Sequence, residues 1–235
     1  MLVLAPSLAC MNPLTMKETL PLLDAEGVSV YHIDICDGHF AKTFLLYPKF
    51  LTYLKEITDR RLDVHLYCTT PSQYIEELVD CGADTIIIHY ETVEPVEAVL
   101  QKILDHGAKA GLAFLPSTEI PDSVAQFLPL LKVVLTNTVG PAYAGQPFDS
   151  RGLNNMKKAK KLLVATHSTA ELAADGAVSE ERLPAFFDAG ANHLVLGTNS
   201  IIKPNMNIAS TMRAFKKVAE ACFSSKSDEK PLRLF

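Results

Sequence analysis

The chain alternates between short apolar runs and longer stretches in which apolar residues recur at helical spacing, and it does so almost from end to end. Apolar runs of strand length fall at Val3–Leu8, Val30–Ile35, Leu62–Tyr67, Thr85–His89, Ala108–Phe114, Val133–Thr138, Glu171–Ala174 and His193–Leu196. After them the pattern predicts helices over Thr15–Ala25, Pro48–Ile57, Ser72–Val79, Val96–His106, Ser123–Leu131, Leu153–Leu162, Glu180–Asp188 and Thr211–Cys222. Each strand-plus-helix unit takes about 25–30 residues, the size of a βαβ building block. Four approaches to a strand carry glycine in a similar place: Glu26-Gly27-Val28, Cys81-Gly82-Ala83, His106-Gly107-Ala108 and Ala189-Gly190-Ala191. A glycine just after a helix suits the left-handed cap from which the chain turns into a sheet. Eight strands in this rhythm, with no break in composition, predict an α/β chain folded as a single (β/α)8 TIM barrel rather than an open doubly wound sheet. The barrel is expected over residues 1–223, and the polar stretch 224–235 is expected to be a loosely ordered tail.

Composition narrows the possibilities without naming one. A length of 235 residues with 48% apolar content supports one large core. A net charge of −5 argues against a nucleic-acid or anionic-membrane partner, and the Lys158-Lys160-Lys161 group reads as the solvated face of a helix. No apolar run approaches the roughly 20 residues of a membrane span. The chain enters an apolar strand directly, with no signal-peptide pattern. Cys10, Cys36, Cys68, Cys81 and Cys222 form no CxxC pair and are odd in number, so no disulfide framework is expected and a reducing cytoplasm is the natural setting.

Candidate chemistry gathers at the ends of strands. His32 and Asp34 are two apart in the second strand, so they share a face, and His65 follows in Asp63-Val64-His65-Leu66 on the third. Imidazole and carboxylate converging from neighbouring strands suit a divalent metal. A further carboxylate, Asp175, ends the seventh strand in Ala173-Ala174-Asp175-Gly176-Ala177, across the barrel from the third. The alternative role for Asp175 is a helix cap, although Ser179 is the better candidate for that. Barrel enzymes place catalytic groups at these strand ends. Small residues also cluster in three successive loops: the stretch from Gly140 through Ala144, Gly145 and Gln146, then Gly176-Ala177, then Gly197-Thr198. Backbone N–H groups there suit a phosphate. His89, His106, His167 and His193 are read as structural histidines.

With these blocks in view, the chain resembles the ribulose-phosphate 3-epimerase family. The resemblance rests on Ala5-Pro6-Ser7-Leu8, His32-Ile33-Asp34-Ile35-Cys36-Asp37-Gly38-His39-Phe40, Asp63-Val64-His65-Leu66, Ala144-Gly145-Gln146-Pro147-Phe148 and Asp175-Gly176, in the family's order and spacing. It implies one divalent ion (zinc, iron, manganese or cobalt) held by His32, Asp34, His65 and Asp175. Asp34 and Asp175 would double as the acid and base that move the C3 proton through an enediolate. It further implies a pocket lined by Ser7 and a phosphate held by the backbone around Ala144, Gly145, Gly176, Ala177, Gly197 and Thr198. The implied partner is a phosphorylated ketose, ribulose 5-phosphate by default, and the implied assembly is a homo-oligomer. Ser7-Leu8-Ala9-Cys10-Met11, His32–Phe40 and Ala144–Phe148 also look similar to the allulose-6-phosphate branch, which leaves a hexulose phosphate as the alternative substrate.

The chain departs from the family where methionines usually surround the reacting carbon. Cys36, Tyr67 and Asn137 stand there, and Tyr67 and Asn137 are suited to hydrogen-bond substrate hydroxyls. Alanine replaces the usual glycine at Ala142 and Ala177, positions where glycine would accept a positive φ more readily. Two other classes compete with an epimerase. A lyase on a similar barrel would need a lysine among the strand-end acids, which the Asp34 and Asp63 blocks lack. A sugar-phosphate sensor would have no use for two opposed carboxylates.

Overall fold

The structure, a computed structural model, describes residues 1–141 and 145–227. Eight parallel strands form one sheet: β1 (Val3–Pro6), β2 (Val30–Cys36), β3 (Arg61–Tyr67), β4 (Thr85–His89), β5 (Lys109–Phe114), β6 (Leu131–Asn137), β7 (Glu171–Asp175) and β8 (His193–Leu196). β1 pairs with β8, and the remaining strands follow in order round to β2. A bridge between Ser7 and His32 brings the two ends of the sheet together, so the ring closes at the residues that begin the site. The helices are α1 (Met16–Ala25), α2 (Phe50–Lys55), α3 (Ile75–Asp80), α4 (Val96–Asp105), α5 (Arg151–Ala165), α6 (Leu183–Ala189) and α7 (Ile208–Ser227). This is the (β/α)8 barrel that the alternating pattern predicts.

Strand alternation sorts the side chains into two cores. Outward residues such as Tyr31, Ile33, Val64, Ile86, Leu112 and Val134 are buried beneath the helices. Inward residues form a separate apolar layer of Ile87, Ala113, Val133, Leu135 and Ala173 across the middle of the barrel. Polar inward residues therefore lie at either end: Arg61, Asp63, Glu171 and His193 where strands begin, and His32, Asp34, His65, Asn137 and Asp175 nearer where they finish. The glycine repeat does what its spacing predicts: Gly82 and Gly190 have φ of 103° and 102°, values in the left-handed region that glycine reaches without a Cβ clash.

Most element ends move by one to three residues from the sequence reading, and the larger differences have local causes. The helix expected over Ser123–Leu131 is two 3₁₀ turns, Asp122–Gln126 and Leu128–Leu130, after which β6 begins. Pro129 has no N–H to continue a helix, and its ring would meet the carbonyl a turn earlier. The first strand stops at Pro6, because residues Leu8–Cys10 tighten into a 3₁₀ turn. α7 continues to Ser227, so residues 224–227 extend the helix rather than begin the tail; residues 228–235 lie outside the described residues.

Candidate active site

β2 and β3 run in register with Asp34 beside His65 and His32 beside Asp63, which turns three site residues into one face. Asp175 arrives from β7. His32 Nε2 lies 3.2 Å from Asp34 Oδ1 and 3.3 Å from His65 Nδ1. His65 Nδ1 lies 3.4 Å from Asp34 Oδ1 and 3.4 Å from Asp175 Oδ2. One ligand atom from each of the four residues falls within 4.8 Å of all the others. A tetrahedral shell with bonds of about 2.0–2.2 Å has edges of about 3.3–3.6 Å, so these separations fit four donors around one small cation. Two nitrogens and two carboxylate oxygens also make a donor set that suits a borderline divalent metal.

The electrostatics point the same way. Both imidazoles are fully buried, and Asp34 and Asp175 are only 13% and 15% exposed. Burial alone would lower His32, but the charge and hydrogen bond of Asp34, with Asp175 and Asp63 behind, raise it to about 9. Burial pushes Asp34 up, and the opposing charge and hydrogen bond of His32 bring it below the ordinary carboxylate range. Ser7 Oγ donates to the other oxygen of Asp34 at 2.9 Å. Two carboxylates in this little-solvated space favour any cation that enters it.

Asp175 has its own donors. Tyr67 Oη donates to its Oδ2 at 3.3 Å and Asn137 Nδ2 donates to the same oxygen at 3.1 Å. Asn137 Nδ2 also donates to the Tyr67 hydroxyl at 2.9 Å. Burial, then the negative charges of Asp175 and Asp34, hold the phenol well above its ordinary pKa, so Tyr67 keeps its proton.

A cavity of about 250 Å³ opens over these groups. Ser7, Asp34, Tyr67 and Asp175 line its inner part, and Gly145, Gly176, Ala177, Gly197 and Thr198 line the loops above. Asn137 and Cys36 do not line it. Asn137 is fully buried behind the Tyr67 hydroxyl, and Cys36 packs against Ala41 and Tyr67. Ala144 and Ala142 lie outside the described residues. Ala177 adopts φ 49°, a left-handed conformation that costs an L-residue about 1–2 kcal/mol. A Cβ on Gly176 would stand 2.5 Å from Val139 Cγ2, so that loop tolerates only glycine there without rearrangement.

Thr43 and Leu45 also line the cavity. Asp37 holds their loop: its Oδ1 accepts from the N–H groups of His39 (2.7 Å) and Phe40 (2.8 Å), and its Oδ2 from that of Thr69 (3.1 Å). His89, read as structural, instead touches the site, with its Nε2 2.9 Å from His65 Nε2 and its Nδ1 3.0 Å from Glu91 Oε2. The signal was present in the sequence, since His89 and Glu91 are spaced like His32 and Asp34 and follow the same strand end. His106 caps its own helix through the Lys102 carbonyl, in keeping with a structural role.

Comparison with known proteins gives a consistent picture. Residues 3–201 match the family model described as Ribulose-phosphate 3 epimerase family. A ribulose-phosphate 3-epimerase from Chlamydia muridarum is 29% identical over 208 residues, 88% of this chain and 91% of that protein. One from Chlamydia pneumoniae is 34% identical over 175 residues, 74% of this chain and 76% of that protein. The crystal structure of KGPDC from Streptococcus mutans superposes with a TM-score of 0.67 at 16% identity, covering 95% of this chain and 100% of that one. That likeness concerns the fold alone.

Proposed function

The chain belongs to the ribulose-phosphate 3-epimerase family, and on that premise we propose that it is a divalent-metal-dependent isomerase interconverting ribulose 5-phosphate and xylulose 5-phosphate. The observation that carries this reading is the convergence of His32, Asp34, His65 and Asp175 within 4.8 Å at the base of a cavity roofed by small-residue loops. Zinc, iron, manganese and cobalt all suit two imidazoles and two carboxylates. A divalent ion held there supplies Lewis-acid stabilisation for the negative charge that gathers on substrate oxygens when C3 loses its proton.

The protein's own groups do the rest. Asp34 and Asp175 enter the cavity from β2 and β7, so that one carboxylate takes the C3 proton and the other returns one to the opposite face. Asp34 enters as the ionised carboxylate, the form that a base needs before it takes a proton. Its partner must carry one at the same moment, because an acid and a base cannot share a protonation state in a single turnover. Ser7 fixes the Asp34 carboxylate through its hydroxyl. Backbone N–H groups of Gly145, Gly176, Ala177, Gly197 and Thr198 hold the phosphate, which anchors the substrate away from the reacting carbon and sets its orientation. Tyr67 meets the substrate between the two ends, with Asn137 acting through its hydroxyl and Cys36 packing behind.

A coupled assay for xylulose 5-phosphate tests this. Chelation is expected to abolish turnover, re-addition of one of the four ions to restore it, and kcat/KM to be higher for ribulose 5-phosphate than for allulose 6-phosphate. No turnover with any of these ions would remove the enzyme reading; a higher kcat/KM for the hexulose would move it to that substrate.

A further inference from the structure

The two buried imidazoles of the site are not held alike. His32 turns Nε2 towards Asp34 and His65, and its Nδ1 has no hydrogen-bond partner among the described residues. His65 is gripped from behind. Its Nε2 faces His89 Nε2 at 2.9 Å, His89 Nδ1 faces Glu91 Oε2 at 3.0 Å, and Glu91 Oε1 accepts the backbone N–H of Leu115 at 2.8 Å. His65 and His89 are fully buried. Tyr67 and Phe40 pack over the His89 ring at centroid distances of 4.7 and 4.6 Å. The line of contacts therefore runs through buried imidazoles to a part-buried carboxylate and ends on the Leu115 backbone amide, which can only donate, with the Thr118 side chain beside it.

Counting protons along this line leaves one arrangement for neutral rings. An ionised Glu91 can only accept, so His89 carries its proton on Nδ1. A neutral His89 then offers a lone pair at Nε2. The short contact to His65 needs one proton, which must sit on His65 Nε2. His65 is left with a lone pair on Nδ1, the atom 3.4 Å from both Asp34 and Asp175. We propose that Glu91 is a positioning residue which, through His89, fixes the proton of His65 on Nε2 and turns the Nδ1 lone pair towards the space between Asp34 and Asp175. The consequence for metal uptake rests on the reading above that His65 is a ligand; the proton order itself does not. A carboxylate behind a ligating histidine sets its tautomer and ring orientation, and here the carboxylate acts one imidazole further away.

Glu91→Gln separates this role from simple packing, because it keeps the shape and reverses the order of donors. The single amide oxygen of glutamine is claimed by the Leu115 N–H, which has no other form to adopt. The amide NH₂ then faces His89 Nδ1, His89 donates from Nε2, and His65 is driven to carry its proton on Nδ1. The experiment is ¹⁵N NMR of histidine-labelled, metal-free protein, paired with Zn²⁺ competition against a chromophoric chelator. Wild type is expected to show His65 as the Nε2–H tautomer. Glu91→Gln is expected to shift His65 to Nδ1–H and to weaken Zn²⁺ binding about 10–100-fold. His89→Gln keeps an acceptor for His65 Nε2–H and should retain more Zn²⁺ affinity than His89→Leu, a rescue that loss of packing would not produce.

An Nδ1–H tautomer at His65 in the wild type overturns the proposal and requires no variant to fold. Unchanged tautomer and unchanged Zn²⁺ affinity in Glu91→Gln overturn it as well. Wild-type protein with the Nε2–H tautomer but no Zn²⁺ uptake supports the proton order and overturns the metal reading instead.

Discussion

The two ends of the barrel hold similar residue types and use them differently. At the floor, Asp63, Glu171 and His193 bring ligand atoms within 4.8 Å of each other, as the four residues of the mouth do. The floor carries its own counter-charge. Arg61 forks onto Asp63 with two contacts of 2.9 Å and reaches Glu171 at 2.8 Å, and Lys132 meets Glu171 at 2.8 Å. His193 Nδ1 adds a contact of 2.9 Å to the same carboxylate. At the mouth, Asp34 and Asp175 make their ion pairs with histidines rather than with Lys or Arg among the described residues. A closed set of charges locks strands together, whereas a set short of positive charge is a place for a cation to bind. Built-in compensation, not residue type, separates structure from function here.

If that distinction holds, mutations at the two ends should have opposite signatures. Asp175→Asn is expected to lower kcat about 10²–10⁴-fold, the range for losing an acid/base group, in steady-state assays of product formation. Melting of the metal-free variant should stay within about 1 kcal/mol of wild type, since no lysine or arginine loses its partner and the asparagine keeps the shape. Arg61→Met should do the reverse. It strands Asp63, while Glu171 keeps Lys132 and His193, at a cost of about 3–5 kcal/mol in denaturant unfolding, and kcat per folded molecule stays unchanged. Large kinetic damage from Arg61→Met with little loss of stability would erase the contrast.

Acid sharpens the comparison more gently. Burial raises Glu171, but hydrogen bonds from His193, Arg61 and Lys132 bring it below its ordinary value of 4.5. The folded protein therefore holds this proton less readily than the unfolded chain. The stability it contributes is complete above that ordinary value and fades as pH falls towards the folded one. Melting temperature of wild type should drop over this acid window, and Glu171→Gln should flatten that limb; an equally steep limb in the variant would place the acid sensitivity elsewhere. The smallest expected effect is at the mouth. Ala177→Gly relieves the left-handed strain at φ 49° and should stabilise by about 1 kcal/mol or less in thermal melts, whereas a loss of stability would mean the strain is absent.

Much of this was legible in sequence, for identifiable reasons. Strands buried on both faces read as nearly continuous apolar runs, so the polar residues His32, Asp34 and His65 within them, and Asp175 at the end of one, could be assigned to one interior from the sequence alone. The floor cluster was not read as a unit, because Arg61 and Glu171 are 110 residues apart and only barrel closure joins them. His89 and Glu91 had the same two-residue spacing as His32 and Asp34. A lone histidine in an apolar strand usually satisfies itself, and nothing local tells that His89 faces another imidazole. Asn137 was expected in contact with substrate; its side chain is long enough to reach the Tyr67 hydroxyl first, which places Tyr67 between it and the cavity. The 3₁₀ turns after β5 were hidden by apolar spacing that suits a helix until Pro129 is weighed.

The central claim is that the mouth exchanges a proton at C3 of a ketose phosphate. Metal-loaded wild-type protein incubated with ribulose 5-phosphate in heavy water tests it directly, with NMR or mass spectrometry locating the label. Deuterium is expected at C3 of the xylulose 5-phosphate formed and, with time, at C3 of the recovered ribulose 5-phosphate, and no carbon–carbon cleavage product should appear. Interconversion that leaves C3 free of deuterium would contradict the account, because it would mean that Asp34 and Asp175 do not carry the proton.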